Sequence, residues 1–125
     1  MILAMLKSPK TEDSSNQKYG IRDGHFIYKD GHMFERVPID QLLYVEGSGN
    51  YFTMYFQSRK VMLKGTLSVL FNELPTSLFL KVNRSIIVSV QAVKSFNSKR
   101  VILHTGQEFS VSKAQSEDML SKLLG

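Results

Sequence analysis

From His25 to Val111, short runs of β-branched, aromatic and aliphatic residues alternate with polar positions and are separated by Gly, Asn, Asp and Ser. Runs of this kind favour short strands joined by tight turns. Asp30-Gly31-His32 and Gly47-Ser48-Gly49-Asn50 carry the clearest hairpin signals. Strands are predicted over residues 25–29, 33–37, 42–46, 51–56, 60–64, 92–96, 100–104 and 108–111. The pattern therefore predicts an all-β domain.

Two stretches repeat with the period of a helix instead. Thr66 is a suitable N-cap for a helix of about eight residues that Pro75 closes. Ser112 and Gln115 have the spacing of a capping box and predict the start of a second helix. The apolar faces are Leu67, Leu70, Phe71 and Leu74 in the first helix and Met119, Leu120, Leu123 and Leu124 in the second. The first helix is expected to cover one end of the sheets.

The start of the chain has the composition of a polar leader or linker, which we assign to residues 1–20. Lys7 to Gly20 is rich in Ser, Lys, Asp, Asn and Gln, and has too few apolar groups to offset its own ordering entropy. Met1 to Leu6 is apolar but too short to span a membrane, and it lacks the features of a signal peptide. Residues 21–125 are therefore expected to form one cytoplasmic domain without membrane contact.

Charge is distributed unevenly along the chain. Residues 59–113 contain nine Lys and Arg against two Asp and Glu, a net charge of +7 within a chain whose total is +5. A basic surface concentrated in one half of a small domain indicates a polyanionic partner. On charge alone, nucleic acid and an acidic protein surface are equally good partners.

Motifs for catalysis, cofactors and metals are missing from the sequence. Gly47-Ser48-Gly49 resembles the start of a dinucleotide fingerprint, but Phe52 stands where the third glycine is needed. The chain has no cysteine, and His25, His32 and His104 lie at no ligand spacing. We expect no enzymatic activity, no cofactor and no metal site.

The central stretch Phe79–Val88 surrounds three polar residues, Asn83, Arg84 and Ser85, with apolar residues typical of strands. An Arg fixed between two strands presents a planar fork of donors and loses little entropy when it binds phosphate or a base edge. Alternatively, the charge only keeps a sheet edge soluble.

Together with two further motifs, this stretch resembles the LytTR family of DNA-binding domains found in bacterial transcription regulators. The other motifs are Val45 to Tyr51 and Phe109 to Lys113, and the resemblance extends over about Pro38 to Leu124. The chain departs from the family pattern at Asn83, where His is typical, and at Ser89, where Asn is typical. The family's Pro before Val-Ser-Arg is also missing, since the third motif reads Ser110-Val111-Ser112-Lys113.

The resemblance implies an elongated stack of antiparallel β-sheets with one or two short helices. It implies a sequence-specific module that binds double-stranded DNA, in which loops enter successive major grooves at paired direct repeats in promoters. It also leaves open a receiver or sensor partner, a dimer on DNA, and whether the chain is a stand-alone regulator or a fragment. By the matching motif positions, the expected DNA-binding residues are Ser48, Gly49, Asn50, Asn83, Arg84, Ser85, Ser112 and Lys113.

These residues also have structural interpretations. Gly47 to Asn50 could be only a tight hairpin loop, since Gly and Asn tolerate positive φ, and Ser112 could be only a helix cap. The four aromatic residues Tyr44, Tyr51, Phe52 and Tyr55 fit cross-strand packing better than base stacking. The competing function is a small β-rich protein-interaction module whose basic face docks acidic or proline-rich partners.

Overall fold

The computed structural model describes residues 19–125, and the predicted apolar start and most of the predicted leader lie outside the described residues. The described residues divide into two compact units, residues 19–41 and 42–125. The first unit contains the sheet β1-β2-β3, and the second contains the remaining sheets and both described helices. All three motifs of the predicted DNA-binding site belong to the second unit.

The first unit is an antiparallel meander of β1 (Tyr19–Arg22), β2 (His25–Asp30) and β3 (Met33–Pro38), followed by a 3₁₀ turn at Ile39–Gln41. The predicted hairpin at Gly31 is confirmed, and Gly31 has the positive φ of +66° that such turns require. Strand β1 was not predicted and begins inside the expected leader. It is joined to β2 by Asp23-Gly24, both with positive φ, the pattern of a type I′ turn.

The second unit is built on a five-stranded antiparallel sheet in the order β6-β5-β4-β8-β7. Its strands are β4 (Leu42–Ser48), β5 (Tyr51–Phe56), β6 (Lys60–Lys64), β7 (Phe79–Asn83) and β8 (Ile86–Ser89). Because β4 and β8 are antiparallel neighbours with Glu46 opposite Ile86, the β4–β5 turn and the β7–β8 turn lie at the same end of the sheet. We call this the turn end of the sheet.

Helix α1 (Leu67–Glu73) begins at the predicted cap, where the Val69 N–H donates to Thr66 Oγ1 over 3.3 Å. It packs against β4, where Gly47 leaves room for Leu67. A Cβ atom at position 47 would lie 3.0 Å from Leu67 Cβ, closer than nearly all such atoms pack. Gly47 therefore belongs to the strand and permits close packing of the helix, whereas the sequence predicted a loop residue.

A second layer covers the β7–β8 side of this sheet. Strands β9 (Val93–Phe96), β10 (Arg100–Leu103) and β11 (Glu108–Ser110) form an antiparallel sheet, and helix α2 (Lys113–Leu124) packs on β7. The strand predicted from residue 92 begins at Val93, because Val90–Ala92 form a 3₁₀ turn. The shared core consists of Tyr44, Leu80, Val82, Ile86, Val88, Ala92, Val101, Leu103, Val111 and Met119.

Aromatic residues pack across strands, as predicted. The rings of Tyr44 and Tyr55 stack with centroids 4.3 Å apart, and Phe109 of β11 contacts Tyr44 at 4.9 Å. Burial raises the pKa of the Tyr44 phenol, and nearby Tyr55 and Glu46 raise it further. Tyr51 is the exception, because it is 50% exposed at the turn end.

Helix α2 differs from its prediction at both ends. Ser112 is the N-cap, but its side chain makes no capping hydrogen bond, so the predicted capping box is wrong. Leu120 and Leu123 pack against the core around Met119, as expected. Leu124 does not belong to that face, because it is 75% exposed at the last turn of the helix.

Candidate nucleic-acid interface

Backbone hydrogen bonds bring the three predicted motifs together at the turn end of the sheet. Gly47 N–H donates to Ser85 O over 2.8 Å and joins the first motif to the central one. Ser112 N–H donates to Val82 O over 2.9 Å and joins the third motif to the central one. The central turn is thus held from both sides by main-chain contacts.

Arg84 and Ser85 form the two-residue turn between β7 and β8. Asn83 is opposite Ile86, and the register shifts between Lys81 and Asn83. Two-residue hairpin turns usually need positive φ, yet neither Arg84 nor Ser85 has one. The Arg84 side chain is exposed and has no hydrogen-bonding or ionic partner within residues 19–125. Its guanidinium group is therefore available to a ligand.

The turn stands as a ridge between two hollows, since Arg84 and Ser85 line both of them. The first hollow lies towards β4 and α1 and is also lined by Gly47, Ser48, Gly49, Thr66, Leu67 and Ser68. The second lies towards β11 and α2 and is also lined by Lys81, Asn83, Ser110, Ser112, Ala114 and Gln115. A ridge that carries an exposed Arg between polar hollows suits insertion into a groove of a polyanion.

In the first motif, Gly49 and Asn50 form the two-residue turn between β4 and β5. Gly49 has a φ of +62°, the positive φ that a tight hairpin turn needs and that glycine tolerates. Ser48, Gly49 and Asn50 are all exposed. Asn50 O accepts a 2.6 Å hydrogen bond from Gly65 N–H, which fixes the loop to the segment after β6. The loop is therefore both a tight turn and an accessible edge.

In the third motif, Ser112 and Lys113 lie at the start of α2. Ser112, whose hydroxyl does not cap the helix, lines the second hollow, and the Lys113 side chain is exposed. Lys113 has no ionic partner among the described residues. Neither Lys113 nor Asn50 lines a hollow, so these two predicted residues stand beside the ridge rather than around it.

Asn83 and Ser85 are half-buried, as is Ser112. Asn83 Oδ1 accepts from Ser85 N–H over 2.8 Å, and Asn83 Nδ2 donates to Ser110 O over 2.7 Å. The amide is thus engaged within the protein, whereas the other predicted side chains point to solvent or to a hollow.

Two basic residues that the sequence prediction did not include also lie at the turn end. Lys81 lines the second hollow beside Arg84. Lys64 is exposed at the end of β6, opposite Tyr51 in register and next to the Gly65–Asn50 hydrogen bond. The alternating pattern in the sequence predicts that each lysine lies on a strand. It does not show that both lie at the turn end of the sheet, which follows from the strand order.

Not all of the basic half of the chain contributes to this end. Arg100 is paired with Glu108 at 3.0 Å on the second-layer sheet. Lys60 begins β6 at the opposite end from Lys64, with its ammonium group 5.8 Å from the centroid of the Tyr55 ring. Within residues 19–125, the basic residues without an ionic partner at the turn end are Lys64, Lys81, Arg84 and Lys113.

Comparison with known proteins identifies the class of this domain. The family model described as the LytTr DNA-binding domain matches residues 32–124, most of the chain. The chain therefore belongs to the LytTR family of DNA-binding domains, and the predicted family and the mostly antiparallel β-fold with two short helices are confirmed.

A solved structure from Bacillus cereus has the same fold. It is described as the LytTr DNA-binding domain of a methyl-accepting/DNA response regulator, and it superposes with a TM-score of 0.69. The two chains are 20% identical, and the match covers 82% of this chain and 98% of the other. Among curated proteins, no sequence matches this chain.

Membrane-spanning helices and metal-binding clusters are two further features that the described residues lack. Neither α1 nor α2 is long and apolar enough to cross a membrane. Within residues 19–125, no group of three or more His, Cys, Asp and Glu side chains is arranged to hold a metal ion.

Proposed function

We propose that this domain recognises a specific sequence in double-stranded DNA by placing its turn-end loops in major grooves. Membership of a DNA-binding family supports binding to DNA in transcription regulation. The observation that carries the finer proposal is the convergence of three polar motifs on one ridge whose Arg84 is exposed and unpaired. A ridge formed by a short turn between two strands is rigid enough to hold a base-reading group in place.

Each motif has a chemical role in this proposal. Arg84 reads a base, because a guanidinium group can donate to both acceptors on the major-groove edge of guanine. Ser48, Gly49 and Asn50 reach the groove beside it, and Ser85 and Ser112 contact the backbone around the ridge. Lys113 binds a phosphate and fixes the register of the protein on the duplex without selecting a base.

We extend the phosphate contacts to Lys64 and Lys81. Both lie at the turn end: Lys81 lines the second hollow, on the side of the ridge away from β4, and Lys64 ends β6, the strand at the other edge of the sheet. A duplex that receives the ridge in a groove presents phosphates on both sides of that groove, so cations on both sides are useful. Together with Lys113 they give three candidate contacts to phosphates.

Further parts of the proposal concern the whole regulator. We propose that residues 21–125 form the DNA-binding domain, that it has no enzymatic activity of its own, and that it acts in the cytoplasm. Paired direct repeats, occupied by two copies on one duplex, are the proposed target. A receiver or sensor partner that controls binding completes the proposal.

Salt dependence provides the first test. If three lysines neutralise phosphates, the logarithm of the association constant should fall with the logarithm of salt concentration at a slope of about −3, or about −0.9 per contact. The measurement is a fluorescence-anisotropy titration of a random duplex between low and physiological salt. An affinity that does not change with salt would exclude the DNA proposal and favour an acidic or proline-rich protein partner.

A further inference from the structure

We propose that Asn83 is a positioning residue that locks the Arg84 turn to the start of α2, rather than a residue that reads DNA. The inference rests on the proposed function and assigns to Asn83 a task that differs from the one expected from its motif. Its basis is the pair of hydrogen bonds from one side-chain amide to two different motifs.

The first hydrogen bond supports the turn. Asn83 Oδ1 accepts from the N–H group two residues ahead, at Ser85, which is the Asx-turn arrangement. Arg84 and Ser85 lack the positive φ of the usual hairpin turns, so the backbone of this turn is not in the favoured conformation. The Asn83 side chain stabilises the turn by supplying a hydrogen-bond acceptor. The base-reading guanidinium group is carried by the residue enclosed in this ring of atoms.

The second hydrogen bond crosses to the third motif. Asn83 Nδ2 donates to Ser110 O, 27 residues along the chain and two residues before the N-cap of α2. The segment from Ser110 to Lys113 is therefore fixed relative to the Arg84 turn at both edges, by this bond and by the Ser112 N–H bond to Val82 O. A base-reading group and a phosphate-binding group are held at one separation.

The partners also fix the orientation of the amide. Ser85 offers a donor and Ser110 offers an acceptor, so only one assignment of the Asn83 oxygen and nitrogen satisfies both. Both hydrogen bonds are shorter than 3 Å, and the side chain is half-buried. An Asn that read adenine would need the same oxygen and nitrogen for the base.

The test begins with Asn83→Ser in the full chain. A serine hydroxyl can still accept from the N–H two residues ahead but is too short to reach Ser110 O. The domain should remain folded with a small loss of melting temperature, since the core is untouched, and should lose about three- to tenfold in affinity for the preferred duplex, the worth of one hydrogen bond. Affinity for random duplexes should also fall, by no more than Lys113→Ala lowers it, because the displaced lysine binds phosphates on any duplex.

Coupling to Lys113 distinguishes positioning from direct contact. If Asn83 places the α2 start, Lys113→Ala should weaken preferred-duplex binding less in the Asn83→Ser background than in the wild type, because the lysine is already displaced. If Asn83 touches a base independently, the two effects should multiply. Multiplicative effects would overturn the inference.

Asn83→His provides a second test, because positioning and direct base contact predict opposite pH dependences of specific binding. A neutral imidazole offers one acceptor and one donor, like the amide, whereas an imidazolium offers only donors and cannot accept from Ser85. Positioning therefore predicts tighter specific binding at pH 8 than at pH 5.5, relative to the wild type at each pH. Direct contact predicts the reverse, since the added positive charge attracts the duplex, and that result would also overturn the inference.

Other charged groups around position 83 do not reverse this sign. They are Lys81 and Arg84 on the same hairpin, Lys113 on α2, Glu46 on β4 and Glu108 on β11, and Glu108 is already paired with Arg100. The three cations exceed the one unpaired carboxylate, so they favour the neutral imidazole at pH 8. If the wild type shows no preference among duplexes, the proposed function itself fails. The Asn83 inference is separately overturned only when the wild type discriminates and these variants behave as direct contacts.

Discussion

Arg84→Ala should lower affinity for the preferred duplex by about 1–3 kcal/mol and affinity for random duplexes far less. The reason is that a guanidinium group bridging two acceptors on guanine contributes to binding only when that base is present. The preferred duplex would first be selected from a random pool with the wild-type protein. Affinities of wild type and variant for the selected and the random duplex would then be measured at one salt concentration.

Two controls show whether the loss comes from base reading. Arg84→Lys keeps the charge but not the planar fork, so it should lose specificity while keeping random binding. Lys94→Ala removes an exposed charge on β9, outside the ridge and the two hollows, and should change neither. Equal losses on both duplexes for Arg84→Ala would mean that Arg84 contacts only the backbone and that Ser48 to Asn50 select the sequence.

Lys113→Ala provides the opposite pattern. Because a phosphate contact carries no sequence information, this change should weaken selected and random duplexes by a similar factor and reduce the steepness of the salt dependence by about 1. Identical behaviour of the Arg84 and Lys113 variants would show a merely charged surface. Neither variant should lose more than about 0.5 kcal/mol of stability, because both side chains are exposed.

Local sequence signals predicted most of the strands and turns. Hairpins at Gly31 and Gly49 follow from glycines that supply positive φ between alternating runs, and the structure places both there. The same signal is present at Asp23-Gly24, but the four-residue strand before it is short and borders a polar segment, so the sequence pattern does not predict this hairpin. These features depend on residues close in sequence.

Contacts between distant residues could not be predicted in the same way. Gly47 looked like a loop glycine because nothing nearby in sequence shows that Leu67 packs against it. Asn83 looked like a reading residue because its partner at Ser110 is 27 residues away. In both cases the contact depends on the strand order and on packing, which residues close in sequence do not show.

The departure from the family pattern at position 83 takes on a different meaning in this structure. Where His is typical, this chain has Asn, an exchange that would change the base preference if the residue read DNA. If the side chain positions the turn, the requirement is an acceptor and a donor on one short side chain, which Asn and neutral His both satisfy. The target sequence would then depend on Arg84 and its neighbouring loop rather than on this exchange.

Met119→Ala should have the largest effect on stability of the changes considered, lowering the free energy of unfolding by about 2–5 kcal/mol. Met119 is fully buried and joins helix α2 to the shared core that includes Val82 of β7. Removing its side chain leaves a cavity between the helix and the sheet that surrounding residues fill only in part. The measurement is chemical denaturation of wild type and variant under the same conditions.

Leu124→Ala is the matched control on the same helix. Both residues belong to the apolar stripe that the sequence predicts, but Leu124 is 75% exposed, so its removal should cost within about 0.5 kcal/mol. Equal losses for the two variants would mean that α2 docks through a different face from the one described. Lys113 lies six residues before Met119, about 9 Å along the helix axis. Met119→Ala should therefore reduce stability, and Lys113→Ala should reduce DNA affinity. Stability and DNA binding would then depend on different residues of the same helix.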